Sequence, residues 1–334
     1  EKGSFTKSWQ RESLSIGLFF FKKSSEMLTS MEKIIKKNIK VNKEFFPSLS
    51  YNFLNTKKVL HIDNFVHIGK PEYFEIFKKW KNYSNLKNNF VKKINNSYLA
   101  DKIIIPSAGL GKRFLKENIK IPKFLCKAGK KNEIMINLIK KFLPQKNKIN
   151  LITLKEHKTL KEKFKIYKLN KLSKGQADSV YKMFHLIDDE DSLFINSCDN
   201  FSLFDINLYK KLTKKSDILV FITDNYETDS HTSEGTWVKS QKNRLEKIWL
   251  KSPKILNSSR LTGSFYFKNK RIFSECFHKA RNENYKNEIY IDNLIKVAIK
   301  MKFKVSCIRD DVYVNMGTPK LLREFNFWDK YFNE

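Results

Sequence analysis

Ser107-Ala-Gly-Leu-Gly-Lys-Arg113, with Pro122-Lys123 close behind, gathers small and cationic residues in one short stretch. Ala108, Gly109 and Gly111 leave room for backbone N–H groups to approach a phosphate, and such turns form anion-binding concavities. Lys112, Arg113 and Lys123 would neutralise a polyphosphate. The spacing is neither the G-x-x-x-x-G-K-[ST] of a Walker loop nor the G-x-G-x-x-G of a dinucleotide fingerprint. A glycine turn with solvated lysines is the plainer alternative. A second polar station, Lys174-Gly-Gln-Ala-Asp-Ser179, opens a helical pattern. Gly175 and the Gln176 amide suit the edge of a base or sugar, although Gln176 could also be an ordinary first-turn residue. The third station, Asn196-Ser-Cys-Asp-Asn200, follows an apolar run. Asp199 could hold Mg²⁺ against nucleotide phosphates, since Mg²⁺ is bound through one or two carboxylates plus phosphate oxygens. It could equally cap a helix or turn. Lys251 follows a strand pattern and Glu288 precedes a helical one; each is weak alone.

The elements that must position these stations alternate. Apolar runs predict strands over 103–105, 149–154, 166–169, 193–196 and 218–222, then 236–239, 245–250, 263–267, 305–308 and 312–315. Helical spacing predicts helices over 134–142, 159–164, 177–186, 206–212, 271–280 and 289–300, with a last helix around 321–328. Strand–helix alternation implies an α/β fold with a mainly parallel mixed sheet flanked by helices. The run of strands after residue 235 adds a smaller antiparallel part. Ligands of such sheets sit at the carboxyl ends of the strands, where the three stations fall.

The chain has 334 residues, 41% of them hydrophobic, with 28 Phe and 13 Tyr. That is a folded chain with room for two units. The net charge is +31, but the lysines are scattered and no basic stripe forms, so no specific nucleic-acid partner is expected. Cys126, Cys198, Cys276 and Cys307 show no metal-binding spacing and read as reduced thiols of a cytoplasmic protein. No apolar stretch approaches the roughly 20 residues of a membrane span. The chain begins at Glu1 rather than Met, so an upstream segment must be considered.

An internal echo recurs with a period of about 250 residues. Gly17-Leu-Phe-Phe-Phe-Lys22 answers Gly263-Ser-Phe-Tyr-Phe-Lys268. Glu44-Phe-Phe answers Glu288-Ile-Tyr, and Phe65-Val-His-Ile-Gly-Lys-Pro-Glu72 answers Tyr313-Val-Asn-Met-Gly-Thr-Pro-Lys320. Each copy ends in an amphipathic stretch with Trp, at Trp80 and Trp328. The first copy has no counterpart of the glycine-rich station ahead of it. Residues 1–80 therefore read as the C-terminal part of a truncated domain, 81–99 as a polar linker or connecting helix, and 100–334 as one complete domain.

Pro106-Ser-Ala-Gly-Leu-Gly-Lys-Arg-Phe114 and Ile121-Pro-Lys-Phe-Leu125 together resemble the A-G-x-G-x-R…P-K-x-L opening of sugar-phosphate nucleotidyltransferases. These enzymes have a Rossmann-like GT-A fold. Gly175-Gln-Ala resembles their base-contacting segment, and Ile195-Asn-Ser-Cys-Asp199 their N-S-D metal station with one extra residue. The stretch from Leu245 to Phe267 resembles their lysine and G-x-Y-x-F region. Asn287-Glu-Ile-Tyr290 and Val314-Asn-Met-Gly-Thr-Pro319 resemble N-E-x-Y and G-T-P. The branch found in capsule and surface-polysaccharide clusters is the most similar. The likeness spans 100–334, and its tail motifs recur over 9–80.

The resemblance implies transfer of a nucleotidyl group from an NTP to a sugar phosphate or similar phosphorylated acceptor, releasing pyrophosphate. It implies Arg113 at the departing pyrophosphate, Lys123 at the α-phosphate and Asp199 on Mg²⁺. Ser107, Ala108, Gly109, Gly111, Lys112, Gly175 and Gln176 would bind the nucleotide. Lys251, Gly263 and Glu288 would bind the acceptor. The family's second metal ligand, an Asp two residues before the last glycine, is replaced by Asn315, and by His67 in the first copy. Lys251 follows Leu250 rather than Glu. Two other readings stay open: a nucleotide- or sugar-binding regulatory protein of degenerate duplicated domains, and a GT-A glycosyltransferase. The last would want a D-x-D pair, which Ser-Cys-Asp-Asn lacks. The base, the acceptor and any homo-oligomer are left open.

Overall fold

The computed structural model describes residues 15–62, 65–144, 149–157, 164–224, 235–283 and 288–333. It divides into two compact units between Lys70 and Pro71.

The first unit carries α1 (Ser24–Lys36) and a short α2 (Pro47–Ser50) that tightens into a 3₁₀ turn over Tyr51–Phe53. Tyr51 organises its front. The rings of Phe19 and Phe21 lie 5.6 and 5.0 Å from that of Tyr51. The Tyr51 hydroxyl donates to the Phe20 carbonyl at 2.7 Å and accepts from its N–H at 3.0 Å.

The second unit begins with α3 (Pro71–Asn95), whose buried Trp80, Tyr83, Phe90 and Ile94 share one helical face. Pro71 starts it, as suits a residue with fixed φ and no N–H. The elements then run β1 (Lys102–Pro106), α4 (Lys112–Leu115), β2 (Lys127–Ala128), β3 (Glu133–Ile134), α5 (Met135–Lys140), β4 (Ile149–Leu154) and β5 (Phe164–Leu169). Next come α6 (Gln176–Tyr181), β6 (Leu193–Asn196), β7 (Asn200–Phe204), α7 (Ile206–Thr213), β8 (Ile218–Thr223), β9 (Gly235–Gln241), β10 (Arg244–Ser252) and β11 (Ser259–Phe267). The chain closes with α8 (Lys270–Asn282), α9 (Ile291–Lys300), β12 (Val305–Asn315) and α10 (Pro319–Tyr331). The expected helix over 159–164 lies outside the described residues except for Phe164, which begins β5. The expected strands 305–308 and 312–315 are one continuous β12.

A ten-stranded mixed sheet runs β5-β4-β1-β6-β11-β8-β12-β10-β9, with β7 on the far half of β12. Pairings β4–β5, β1–β4, β1–β6 and β8–β12 are parallel. The rest are antiparallel, because β11 inserts between β6 and β8 and the β9–β10 hairpin adds an edge. The antiparallel share thus exceeds what strand–helix alternation implies. Ile103–Ile105 is buried on both faces, as expected of a central parallel strand. One face packs on α6, α8 and α9 through Val180, Phe273, Phe277, Leu294 and Val297.

Aromatic side chains pack around the opposite face. Phe142 stacks on Phe201 at 3.9 Å, and Phe201 meets Phe325 edge-on at 6.1 Å. Tyr83 of α3 joins them, 6.0 Å from both Phe201 and Phe325. The Trp80 indole N–H donates to Glu324 at 2.9 Å, and Lys87 donates to Asp329 at 3.2 Å. The segment 81–99 is therefore mostly the second part of α3, seated within this unit.

β12 changes partner midway. Val305–Arg309 runs parallel to β8, and Asp310–Asn315 antiparallel to β7. Asp310 sits at the irregular step. Its carboxylate accepts from the Ser202 hydroxyl at 2.7 Å and is buried. That burial pushes the carboxyl well above the usual range, against the pull of the Ser202 and Thr262 hydroxyls.

The two echo copies share a local pattern. α1 starts seven residues after Gly17 and α8 seven after Gly263, and both helices have 13 residues. α3 and α10 each start at the Pro of their Gly-x-Pro motif. Gly263–Lys268 falls largely in β11, whereas Gly17–Lys22 forms no strand.

Candidate active site

β1 delivers the glycine-rich station to the carboxyl edge of the sheet. The Ser107 N–H and hydroxyl both donate to the Ile152 carbonyl at 2.8 Å, so this side chain ties β1 to β4. Ala108 is buried in the core. Beyond them the chain opens. A Cβ added at Gly109 would meet nothing within 4 Å. Gly111 has φ 61°, a left-handed conformation that glycine adopts without strain, and it launches α4. Lys112 and Arg113 on α4 are exposed.

Lys123 follows Pro122 in a single 3₁₀ turn. Its Cβ lies 3.7 Å from where Gly111 would carry one, so it stands against the glycine loop. Its Nζ donates to Asp199 Oδ2 at 2.6 Å. Burial alone would lower the Lys123 pKa. Burial is the largest single influence, but the Asp199 charge, the neighbouring Cys198 and the hydrogen bond to Asp199 together outweigh it and hold the ammonium above its ordinary value, although Arg113 works the other way.

β6 ends at Asn196, and β7 starts immediately after Asp199. The pairing of β7 with β12 sets Asn200 opposite Asn315. The Met316 N–H donates to the Asp199 carbonyl at 2.7 Å. Asp199 and Asn315, distant in sequence, are thereby brought to one point over Gly317. A Cβ at Gly317 would lie 2.7 Å from Asp199 Oδ2 and 2.9 Å from Asn315 Oδ1. Two oxygens thus converge on room that only glycine leaves, a donor set that suits a hard cation. Among the described residues, no cluster of three or more His, Cys, Asp or Glu could hold a metal by itself. The intervening Cys198 is buried, and burial pushes its thiol up to about 11, with the Lys123 charge opposing.

Gly263 sits on the other side of this turn. The Ser197 N–H donates to its carbonyl at 2.8 Å, and a Cβ there would collide with Ser197 Oγ and Asn200 Nδ2. The Gln176 amide donates to Ser197 Oγ at 3.1 Å, joining the second station to the third. Gly175 has φ 105°, and a Cβ would lie 2.6 Å from the Ile289 carbonyl. The Ile289 N–H donates to Lys174 O at 2.7 Å, and the Ala177 N–H to Ile289 O at 3.0 Å. This clasp sets Glu288, which is exposed, beside Gly175. Lys251 has φ 42° and its Nζ lies 4.0 Å from the centroid of the Tyr290 ring.

Ser197, Asn200 and Gly317 are structural members of the site that sequence reasoning quoted only inside motifs. Asp292 was not singled out. The Thr236 hydroxyl donates to its carboxylate. Burial raises its pKa, against the pull of Thr236, Lys251 and Arg260. Its position one turn past Glu288 on a helical pattern was the available signal.

No protein-family model matches the chain, and no curated protein matches it. Solved structures do match. The nucleoside-diphosphate-sugar pyrophosphorylase from Vibrio cholerae RC9 is 18% identical, with TM-score 0.54 over 67% of this chain and 98% of its own. The inositol-1-phosphate CTP transferase from T. maritima is 16% identical, with TM-score 0.54 over 71% and 98%. A UDP-glucose pyrophosphorylase complexed with UDP-glucose is 14% identical, with TM-score 0.54 over 70% and 98%. At these identities the likeness establishes the fold: an α/β architecture with a mixed sheet, similar to nucleotidyltransferase structures. Among the described residues, no helix is long and apolar enough to cross a membrane.

Proposed function

We propose that this chain transfers a nucleotidyl group from an NTP to a sugar phosphate or similar phosphorylated alcohol, with release of pyrophosphate. The observation that carries the reading is the meeting of Lys123, Asp199 and Asn315 beside an open glycine-rich loop. The acceptor's phosphate oxygen attacks the α-phosphorus in line, and the bond to the pyrophosphate breaks. Such chemistry needs positioning and charge neutralisation more than covalent catalysis. Room at Gly109 admits the phosphates, Arg113 stabilises the departing pyrophosphate, and Lys123 serves the α-phosphate. Asp199 and Asn315 are the residues to hold Mg²⁺, which when bound screens the phosphates from their anionic attacker. Gly175 and Gln176 face the base or sugar, while Lys251, Gly263 and Glu288 serve the acceptor.

The Rossmann-like GT-A assignment rests on the strand order and on the neighbours' fold. We read residues 1–80 as the C-terminal part of a first nucleotidyltransferase-like copy, a reading supported by helices of equal length at equal offsets from the repeated glycine. An activated precursor for polysaccharide assembly is the product class that the motifs favour.

The test uses the full chain with Mg²⁺, five NTPs and a panel of sugar 1-phosphates, and reads pyrophosphate. Release from one pair should fall by roughly 10²–10³ in Arg113→Ala, the scale for loss of one preorganised charge-stabilising donor. Nucleotide binding without pyrophosphate release from any pair would refute the transfer and leave a binding protein.

A further inference from the structure

The oxygen that faces Asn315 across Gly317 is already taken. Asp199 Oδ2 accepts from Lys123 Nζ at 2.6 Å and is also the Asp199 oxygen nearest the Gly317 position. Ammonium and metal would therefore compete for one atom. The second oxygen is not free of donors either, with Asn200 Nδ2 at 3.4 Å from Asp199 Oδ1. Asn315 Oδ1 accepts from the Gly317 N–H at 2.9 Å and brings no charge. One carboxylate against one ammonium leaves the pair neutral, so a free divalent cation gains little Coulomb energy by entering. Side-chain exposures of 23% for Lys123 and 16% for Asp199 keep the contact partly desolvated but reachable.

We propose that Lys123 holds the Asp199–Asn315 pair closed to free divalent cations and releases it when a polyphosphate on the adjacent glycine loop draws the ammonium away. Lysine is a point charge on a flexible stem, suited to exchanging one anion for another. Lys123 stands directly against Gly111, so a phosphate on that loop is within its swing. Metal and polyphosphate then bind with positive coupling, and the coupling is reciprocal. The idea rests on the nucleotide reading above and adds a control to it. An aspartate at position 315 would leave a net negative pair even with Lys123 in place, so the amide there is what makes the control effective.

The probe is Mn²⁺ on the full chain, with free Mn²⁺ read by electron paramagnetic resonance and no nucleotide present. The parent should take up no Mn²⁺ at an Asp199-dependent site in the low-millimolar range. Lys123→Gln should tighten uptake at least tenfold, and adding Asp199→Asn should abolish it. Lys123→Arg keeps the charge and should behave like the parent. Asn315→Asp leaves Lys123 untouched and should also take up Mn²⁺, which covers the case of a Lys123→Gln chain that does not fold. Asp199-dependent uptake by the parent equal to that of Lys123→Gln, or none by Asn315→Asp, would overturn the proposal. Inorganic tripolyphosphate titrated into the parent without metal checks the phosphate site separately. Absence of binding there refutes the nucleotide reading, while the Mn²⁺ series still decides the role of Lys123.

Discussion

Gly317→Ala is the sharpest probe of the candidate site. Gly317 has no left-handed φ, so its backbone accepts alanine without conformational strain. The new methyl group would sit 2.7 Å from Asp199 Oδ2 and 2.9 Å from Asn315 Oδ1. Carbon–oxygen contacts normally begin near about 3.3 Å, so the Asp199 carboxylate must retreat by about 0.6 Å. It cannot do so freely, because Lys123 and the β7–β12 pairing hold it on both sides. A misplacement of about 1 Å in a reacting constellation costs roughly 10²-fold in rate, so this shift should cost about ten- to a hundredfold in kcat/KM. The assay is pyrophosphate release with the productive substrate pair, alongside thermal melting. A large kinetic loss is expected, with a melting temperature lowered by only a few degrees. Activity within twofold of the parent would show that the two oxygens over Gly317 are not where the chemistry is held.

Gly109→Ala fills open space, so melting should be unchanged while KM for the nucleotide rises; an unaltered KM would move the phosphates elsewhere. Trp80→Ala removes a side chain that is 1% exposed together with its hydrogen bond to Glu324, and should cost about 3–5 kcal/mol in urea unfolding, whereas a surface helix would lose under about 1. Asp310 has a folded-state pKa raised by burial, so the folded state binds the extra proton and stability must fall as pH rises above the unfolded value of about 3.9. Asp310→Asn should flatten that decline relative to the parent; an identical pH profile would place the burial cost elsewhere.

Much of the second unit was legible because its central strands are short apolar runs bounded by glycine or polar stations. Ile103–Ile105, Ile149–Leu154 and Leu193–Asn196 lie where their composition put them. The order of the stations along the chain was legible too, since the carboxyl ends of successive strands share one edge. β7 was not. Asn200–Phe204 has only five residues and follows directly on a polar turn, so its brief alternation, with Phe201 and Leu203 between Asn200 and Ser202, carried too little strand signal. Its pairing with β12 is what brings Asp199 to Asn315, and a contact between segments so distant in sequence leaves no local trace. The direction of the Ser107 hydroxyl had no local signature either, because it depends on a neighbouring strand, here the Ile152 carbonyl. The full length of α3 was hidden because Asn- and Lys-rich composition masks a buried stripe of Trp80, Tyr83, Phe90 and Ile94.

The four thiols offer a use that no catalytic argument touches. Cys126, Cys198, Cys276 and Cys307 are all unpaired and buried. Burial pushes those of Cys276 and Cys307 up to about 12, so thiolate is scarce while the fold is intact. Alkylation then reports local opening rather than surface chemistry. Cys126 and Cys198 sit beside the glycine loop and the Asp199 turn, Cys276 in α8, and Cys307 in the central stretch of the sheet. Pulsed labelling followed by peptide mass analysis would time-stamp each region's exposure in a single experiment. The chain thus carries its own set of clocks for the order in which its parts come undone.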